Sequence, residues 1–363
     1  MWYTYNSENT ICLGFSECQE ISEELCAPCV SGQPACIVEE DLPPYPPPTP
    51  SPDTEKFVMV IGGGRIPDGW TSDVELVSLD DNPVPDCLTN LNPFPYGAIN
   101  NGAGAAITTA LESGTPLICG GCIGSATSCN HSKKCYKYDP MADTWFESGT
   151  MSEPKDYPAS DYTDSFGLAM AHEGDPLEVT RDGVTFEILP NSDYPNEAVS
   201  NFDSGCMVIL DDESLFLAGG GRYGSTFAYV YNKTTNAWRE VSNMAEPRKD
   251  HSCGLVQSYF GPEVVVVGGN QGETSSFEIF SLESEAWRPG YDLSFRLSFA
   301  DDIRVDDTFA MVGGIRGTAE TSDSIIKYLP DSGTFVELPG KLKIPRYETT
   351  AILVDRSIFP SCA

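Results

Sequence analysis

A pair of adjacent glycines, each closing a short apolar run, recurs along this chain and constrains its fold more than any other feature. The runs read FVMVIGGG, PLICGG, LFLAGGG, EVVVVGG and FAMVGG, with first glycines at Gly62, Gly120, Gly219, Gly268 and Gly313. The intervals are 58, 99, 49 and 45 residues, so the long one spans two repeats with one doublet lost. A period of about fifty residues marks a repeat architecture in which each unit buries its apolar faces on its neighbours.

After each doublet comes a strand with an aromatic or apolar centre, a turn rich in Asp, Asn and Ser, and a large aromatic opening another strand. These segments read KCYKYDPMADTW to Trp145, AYVYNKTTNAW to Trp238, FEIFSLESEAW to Trp287 and IIKYLPDSGTF to Phe335. Alternation at period two with turn residues between predicts paired antiparallel strands. Glycine after the apolar strand permits positive φ and close backbone approach, and the later aromatic supplies area for the neighbouring sheet to bury. A further strand precedes each repeat: GAGAAITTA, SFGLAMAH, SGCMVILD, HSCGLVQS and LSFADDIRV. A last one, YETTAILV, has no doublet after it. The prolines of PPYPPPTPSP, just before Phe57, cannot fill an inner strand that needs its ladder donors. The final strand is therefore expected to close a ring on the first unit, giving an all-β fold of six blades. The third blade, SFGLAMAHEGDPLEVTRDGVTFEIL, is degenerate.

The pattern resembles the kelch-repeat β-propeller family. The resemblance rests on the doublets, the turns at Tyr138-Asp139 and Tyr231-Asn232, the aromatics above and MxxPR-like links such as MAEPR ending at Arg248. It covers residues 56–358. Blade three lacks its doublet and blade one a clear Trp, so those two are expected to be shortened or irregular. The resemblance implies an interaction scaffold, without naming the partner.

The formal net charge of −33, from 54 acidic and 21 basic side chains, disfavours nucleic acid and anionic membrane, whose phosphates need a basic footprint. Cations, basic proteins or plain solubility suit it better. Thirteen cysteines are present. Cys12, Cys18, Cys26, Cys29 and Cys36 read as a disulfide-stapled module at residues 1–40, because a zinc site normally shows two paired CxxC or His ligands. Residues 41–55 form a proline-rich spacer, 56–358 the propeller and 359–363 a tail. Cys119, Cys122, Cys129 and Cys135 are expected to be cross-linked within one long loop. Cys206 and Cys253 share a register in consecutive inner strands and are expected to be buried thiols, since inner strands of neighbouring blades often lie too far apart to bridge. The odd total leaves Cys362 for linkage to another segment or molecule, and self-assembly through the N-terminal module is a second route. Sequons at Asn130 and Asn232, beside the cysteines, favour an extracellular, secreted protein. The start MWYTYNSENT shows no charged n-region or apolar h-region, so the expectation is either that a signal peptide lies outside this sequence or that the chain is not secreted. No stretch reaches transmembrane length.

Chemistry-bearing residues are few. Connections between first and second strands, and between third and fourth, share one face of a propeller. The remaining connections share the other, called here the link face. His172 is expected on the face opposite His131 and His251, so the three do not converge on a metal. Some kelch-like propellers are copper radical oxidases using two His, two Tyr and a Cys, and no convergent His pair is visible here. A sialidase-like site needs an arginine cluster, and the Asp-box is echoed only in Asp182-Gly183-Val184-Thr185-Phe186 and Ser332-Gly333-Thr334-Phe335.

The link face collects Arg65, Arg222 and Arg316 after doublets and Arg248, Arg296 and Arg346 in links, with Trp70 and Tyr223 in the same loops. Arginine with aromatics is the composition of binding hot spots. The competing reading has these arginines paired with Asp73, Asp250 or Asp323, tying blades together. The opposite face carries Glu112, Glu173, Asp175, Asp211, Asp212, Glu213, Asp306 and Asp307, read as solvated turn acids, with weak calcium binding the alternative and no other cofactor expected. The expected role is a secreted non-enzymatic binding or matrix protein that presents the Arg and Trp70 face to a protein or an anionic glycan. A secreted propeller enzyme, copper-oxidase-like or glycosidase-like, and an intracellular adaptor are the alternatives.

Overall fold

In the computed structural model, residues 2–5, 11–14, 36–37, 55–100, 104–108, 114–125, 128–172, 175–193, 204–270, 274–317 and 319–359 are described. Two compact units result, Met1–Thr54 and Glu55–Ala363. In the first, strands Trp2–Tyr5, Ile11–Gly14 and Cys36–Ile37 form one antiparallel sheet whose register sets Cys12 opposite Cys36. Cys18, Cys26, Cys29, Cys129 and Cys362, and acids Glu112 and Glu173, lie outside the residues whose side chains are described.

The second unit is all-β, with 3-10 turns only at Asp86–Leu88 and Arg356–Ile358 among its described residues. Among the described residues no helix is long and apolar enough to cross a membrane. Five sheets have four antiparallel strands each. In chain order their innermost strands are Gly104–Thr108, Ala159–Thr163, Cys206–Ile209, Ser252–Ser258 and Asp301–Val305. They are called here the second to sixth sheets. The first sheet has three strands, Thr350–Asp355, Lys56–Ile61 and Val74–Ser78, so that the C-terminal strand pairs with the N-terminal one from Thr350↔Ile61 to Asp355↔Lys56.

The apolar runs before the doublets are continuous rather than alternating because both faces of each sheet are buried. Phe57, Met59 and Ile61 pack toward Ile118, Tyr136 and Trp145 of the second sheet, while Val58 and Val60 pack toward Ala310, Val312 and Ile325 of the sixth. The same division holds in the fourth sheet, with Leu215 and Leu217 on one side and Phe216 and Ala218 on the other. It holds again in the fifth for Val264 and Val266 against Val265 and Val267. Each fully buried large side chain contributes about 1.5–3 kcal/mol, so every second strand stabilises two interfaces at once. The first sheet has no outer strand, and Leu88 and Phe94 of the following segment fill that core, with Phe94 at 6.0 Å from Trp145. Ile358 and Phe359 belong to the same core, so Phe359 is part of the fold rather than a tail.

The doublets join neighbouring sheets. The first glycine N–H bonds back to its own sheet, as in Gly268 to the Ser276 carbonyl at 3.0 Å, and the second reaches the next link, as in Gly269 to the Leu297 carbonyl at 2.8 Å. Gly63 to Ile99, Gly121 to Lys155, Gly220 to Arg248 and Gly314 to Arg346 repeat the second bond at 2.7–2.9 Å. A Cβ on Gly268, whose φ is +66°, would stand 2.2 Å from the Leu297 carbonyl oxygen. Gly268→Ala is therefore expected to cost about 1–3 kcal/mol from backbone strain alone, read by urea unfolding; a neutral outcome would mean that the link can withdraw freely.

Three strand expectations are corrected. SFGLAMAH supplies the second strand of the third sheet, Gly167–Ala171, and the innermost one is the polar Ala159–Thr163. His172 thus stands where other sheets have their first glycine, which is why the repeat looked degenerate. Cys119, Cys122 and Cys135 lie on strands rather than in a loop; Cys119 and Cys135 face each other across the second sheet and are bonded, and Cys122 is also disulfide-bonded, as is Cys87. Cys206 and Cys253 are not thiols. They form a disulfide between the innermost strands of the fourth and fifth sheets, which approach to 5.9 Å between Cα atoms.

Candidate functional site

A cavity opens on the link face, at the starts of the innermost strands. Five sheets each place one residue there in the left-handed region, Tyr157, Ser204, Asp250, Phe299 and Glu348, at φ between 49° and 61°. Their backbones form a belt: Ser204 N–H donates to the Tyr157 carbonyl (3.4 Å), Asp250 to Ser204 (2.8 Å), Phe299 to Asp250 (3.0 Å) and Glu348 to Phe299 (3.0 Å). Bonds running from sheet to sheet over-determine a conformation that costs each non-glycine residue free energy. A cavity of about 100 Å³ lies within this belt, bounded also by His251, Asp301 and Asp302.

Electrostatics there are acidic. The Tyr157 hydroxyl donates to Glu348 Oε1 at 2.7 Å, and burial together with the adjacent carboxylate pushes its ionisation up. Burial raises Asp250 as well; the Ser204 hydroxyl and Lys249 ammonium pull it back without reversing the shift. His251 is buried, and burial and the Arg248 charge hold its imidazole down to about 3, so it is neutral at physiological pH.

Deeper in, carboxylates cap the free edges of the innermost strands. Asp301 accepts the Ala351 N–H, Asp302 the Cys253 N–H (3.4 Å) and Asp161 the Ile209 N–H (2.7 Å). An innermost strand has an unpaired edge, and these acids supply the missing acceptors. Burial pushes Asp301 up to about 7 and, with its Asp301 and Asp161 neighbours, Asp302 well above the carboxylate range.

A raised carboxyl pKa contributes stability below its unfolded value that is lost as pH climbs to the folded value. For Asp301 that window runs from about 4 to about 7. Asp301→Asn keeps an acceptor for Ala351 but cannot ionise, so its stability relative to the parent is expected to rise through this window by up to about 1.4 kcal/mol per pH unit, then level off. The lowered His251 titrates in the opposite sense, which makes the difference between the two proteins the quantity to measure. Parallel urea curves at pH 5 and 8 showing a constant difference would contradict the assignment.

The link-face arginines separate into three groups. Arg248 and Arg346, expected as contacts, are fully buried and unavailable to a partner. Arg248 donates to the Gly268 and Ser276 carbonyls and to Glu278 Oε1 at 3.2 Å; Arg346 does the same to the Gly62 and Asp73 carbonyls and to Glu75. Lys155, in the MSEPK link, holds the corresponding place with Glu178 at 3.7 Å. These pairs tie sheets together, as the competing reading held, through glutamates on third strands; of the three aspartates that reading named, Asp73 is paired, with Arg65. The signal was present in the shared -E- of VEL, EV and FEI, paired with IPR, MSEPK and MAEPR respectively.

Arg65 bonds to Asp73 and to Thr71. Arg316 bonds to Glu337 at 3.2 Å and covers the Phe295 ring. Trp70 is half-buried in the hairpin Gly64–Arg65/Gly69–Trp70. Arg222 and Arg296 are exposed and make no ion pair among the described residues, and Arg222 lies over the ring of Tyr223, which is 84% exposed.

The histidine expectation is also corrected. His131 Nδ1 and His172 Nε2 lie 3.0 and 3.1 Å from the same Asp156 oxygen, because His172 ends a second strand and not a first. Burial pushes Asp156 up, but the His172 hydrogen bond and both imidazole charges outweigh it. Asp175 joins this link-face group, at 3.5 Å from Lys155 and 3.6 Å from His172, and so leaves the opposite face. Of the remaining acids, Asp306 lies near Lys56 and Lys327, and Asp211 accepts the Glu213 N–H within a turn. Among the described residues no group of three or more His, Cys, Asp or Glu side chains is arranged to hold a metal.

No family model matches the chain. A stretch of 80 residues is 28% identical to an F-box/kelch-repeat protein of Arabidopsis thaliana, covering 22% of this chain and 20% of that protein. The chain therefore matches about a fifth of that relative's length. The solved structure of YjhT is similar with a TM-score of 0.60 at 10% identity, over 80% of this chain and 99% of that one. The second likeness concerns the fold alone, and together they support a kelch-like β-propeller.

Proposed function

We propose that this chain is a secreted, protein-binding propeller of six blades, closed by Thr350–Asp355, that takes its partner on the link face. The observation carrying this reading is the exposed pair Arg222 and Tyr223, with Arg296 also exposed, on the face that also holds a mouth to which five sheets each bring one residue. Arginine and tyrosine are enriched among residues that dominate protein interfaces. Only two of the six arginines remain exposed, while Asp250, Glu348, Asp301 and Asp302 line the mouth, so a protein bearing cationic groups suits it better than an anionic glycan. Tyr157, held protonated by burial and Glu348, serves as a hydrogen-bond donor rather than an activated nucleophile, which favours binding over covalent chemistry. Secretion is supported by the two bridges Cys119–Cys135 and Cys206–Cys253. Asn130 is exposed for glycan attachment, whereas the Asn232 amide nitrogen donates to Ser214 at 3.0 Å.

Affinity capture with three proteins tests the reading: the parent, Arg222→Ala/Tyr223→Ala, and Tyr259→Ala at a strand turn on the opposite face. Proteins held by the parent and Tyr259→Ala but lost by the double variant are the expected result. The same set retained by all three would sink it.

A further inference from the structure

Where the second sheet meets the third, a lysine stands in the place that two other links give to arginine. Arg248 and Arg346 each donate to two backbone carbonyls and a glutamate. The Lys155 ammonium is buried as completely, at 0% exposure, yet has no hydrogen-bond partner. Two carboxylates flank it beyond the usual hydrogen-bond range, Asp175 Oδ2 at 3.5 Å and Glu178 Oε2 at 3.7 Å. A buried ammonium in that condition is costly. All three residues are held in place. The Lys155 N–H donates to the Ser132 carbonyl at 3.0 Å, and its own carbonyl accepts the Gly121 N–H at 2.7 Å. Glu178 accepts both the N–H and the hydroxyl of Ser152 at 2.9 Å. The Asp175 N–H donates to the His172 carbonyl at 3.2 Å, and its carboxylate, a quarter exposed, also faces His172 Nδ1 at 3.6 Å.

We propose that Lys155 and Asp175 condense to an intramolecular amide, with Glu178 as the proton carrier. Lys155 Nζ attacks Asp175 Cγ, the carbon that bears the oxygen 3.5 Å away, and the bond from Cγ to one carboxyl oxygen breaks. The ammonium gives up two protons, and they leave with that oxygen as one water. Glu178 takes each proton from Nζ and passes it to the departing oxygen, so it ends ionised as it began. One cation and one anion disappear together, which leaves the net charge unchanged and consumes no oxidant or cofactor. Groups held at this separation react as if at concentrations far above any reached in free solution. Glu178 is the carrier rather than the partner because Ser152 holds both of its oxygens, whereas Asp175 lies closer to Nζ and its partial exposure lets the water escape. The product fastens the link to the third sheet, where the repeat has lost both its first glycine and its arginine.

Mass spectrometry of the reduced, deglycosylated full chain tests the proposal. The parent is expected to be lighter than its sequence by one water, and tryptic digestion to give a branched peptide joined through Lys155 and Asp175. Asp175→Ala should show its full sequence mass, and its Lys155 should react with an amine-specific acylating reagent once the chain is unfolded. Glu178→Gln, verified as folded by near-ultraviolet circular dichroism, should likewise keep its water. If that variant does not fold, Glu178→Asp is read instead and should carry the cross-link in a smaller share of molecules than the parent. A parent at full sequence mass, with Lys155 open to acylation after unfolding, overturns the proposal. A folded Glu178 variant cross-linked as completely as the parent overturns the role given to Glu178.

Discussion

Arg248→Met is expected to destabilise the protein by about 3–5 kcal/mol, because it removes one partner of a buried ion pair and leaves the other charged. Arg248 is fully buried and Glu278 is 5% exposed. With the guanidinium gone, Glu278 keeps only the Ala245 and Glu246 N–H groups at 2.7 and 3.2 Å, and the Gly268 and Ser276 carbonyls lose their shared donor. Arg248 belongs to the link whose carbonyl holds Gly220 of the fourth sheet while its side chain holds the fifth, so the loss falls on a joint between sheets. The double variant Arg248→Met/Glu278→Leu removes both charges and should recover more than half of the loss. Urea unfolding of the four proteins of this cycle checks both statements. A single-variant cost below about 1 kcal/mol would place the pair among solvent-screened surface bridges.

Cys206→Ala/Cys253→Ala is expected to cost about 4 kcal/mol, the chain-entropy value for a closed loop of this length. The bridge spans 47 residues and joins the innermost strands of two sheets that also share a packed core, the Arg248–Glu278 pair and the Asp250–Ser204 backbone bond. Both cysteines are buried, at 4% and 1% exposure, so alanine also leaves the surrounding core slightly underfilled. Extrapolated unfolding free energies of the parent and variant in urea measure the difference. A cost under about 1 kcal/mol, with the parent bridge verified by peptide mapping, would show that packing alone fixes the spacing of these strands.

Much of the fold was legible because it depends on local chemistry repeated at a fixed interval. A doublet such as Gly268-Gly269 must be glycine because the next link's carbonyl occupies the space of a Cβ, and an apolar run such as VVVV must be continuous because its two faces feed two cores. Both demands recur in each unit and leave a periodic trace. Where the trace failed, a substitution had replaced the marker while preserving its place. His172 in the first-glycine position and Lys155 in the arginine position concealed the third repeat, and with it the meeting of His131 and His172 on Asp156.

The site was less legible. Tyr157, Ser204, Asp250, Phe299 and Glu348 share no chemistry, only a backbone conformation and a register, and neither can be read from residue type. Arginines offered the reverse difficulty: Arg222 and Arg248 look equivalent in the sequence, yet one is exposed over Tyr223 and the other is sealed against Glu278.

The sequence by itself determined the repeat, the all-β class and the residues that make each interface apolar, since these follow from periodic local constraints. Only the tertiary structure decided which charges are buried, which cysteines meet and which five residues surround the mouth. Those outcomes depend on distances between segments about fifty residues apart, and such distances exist only once the sheets have packed.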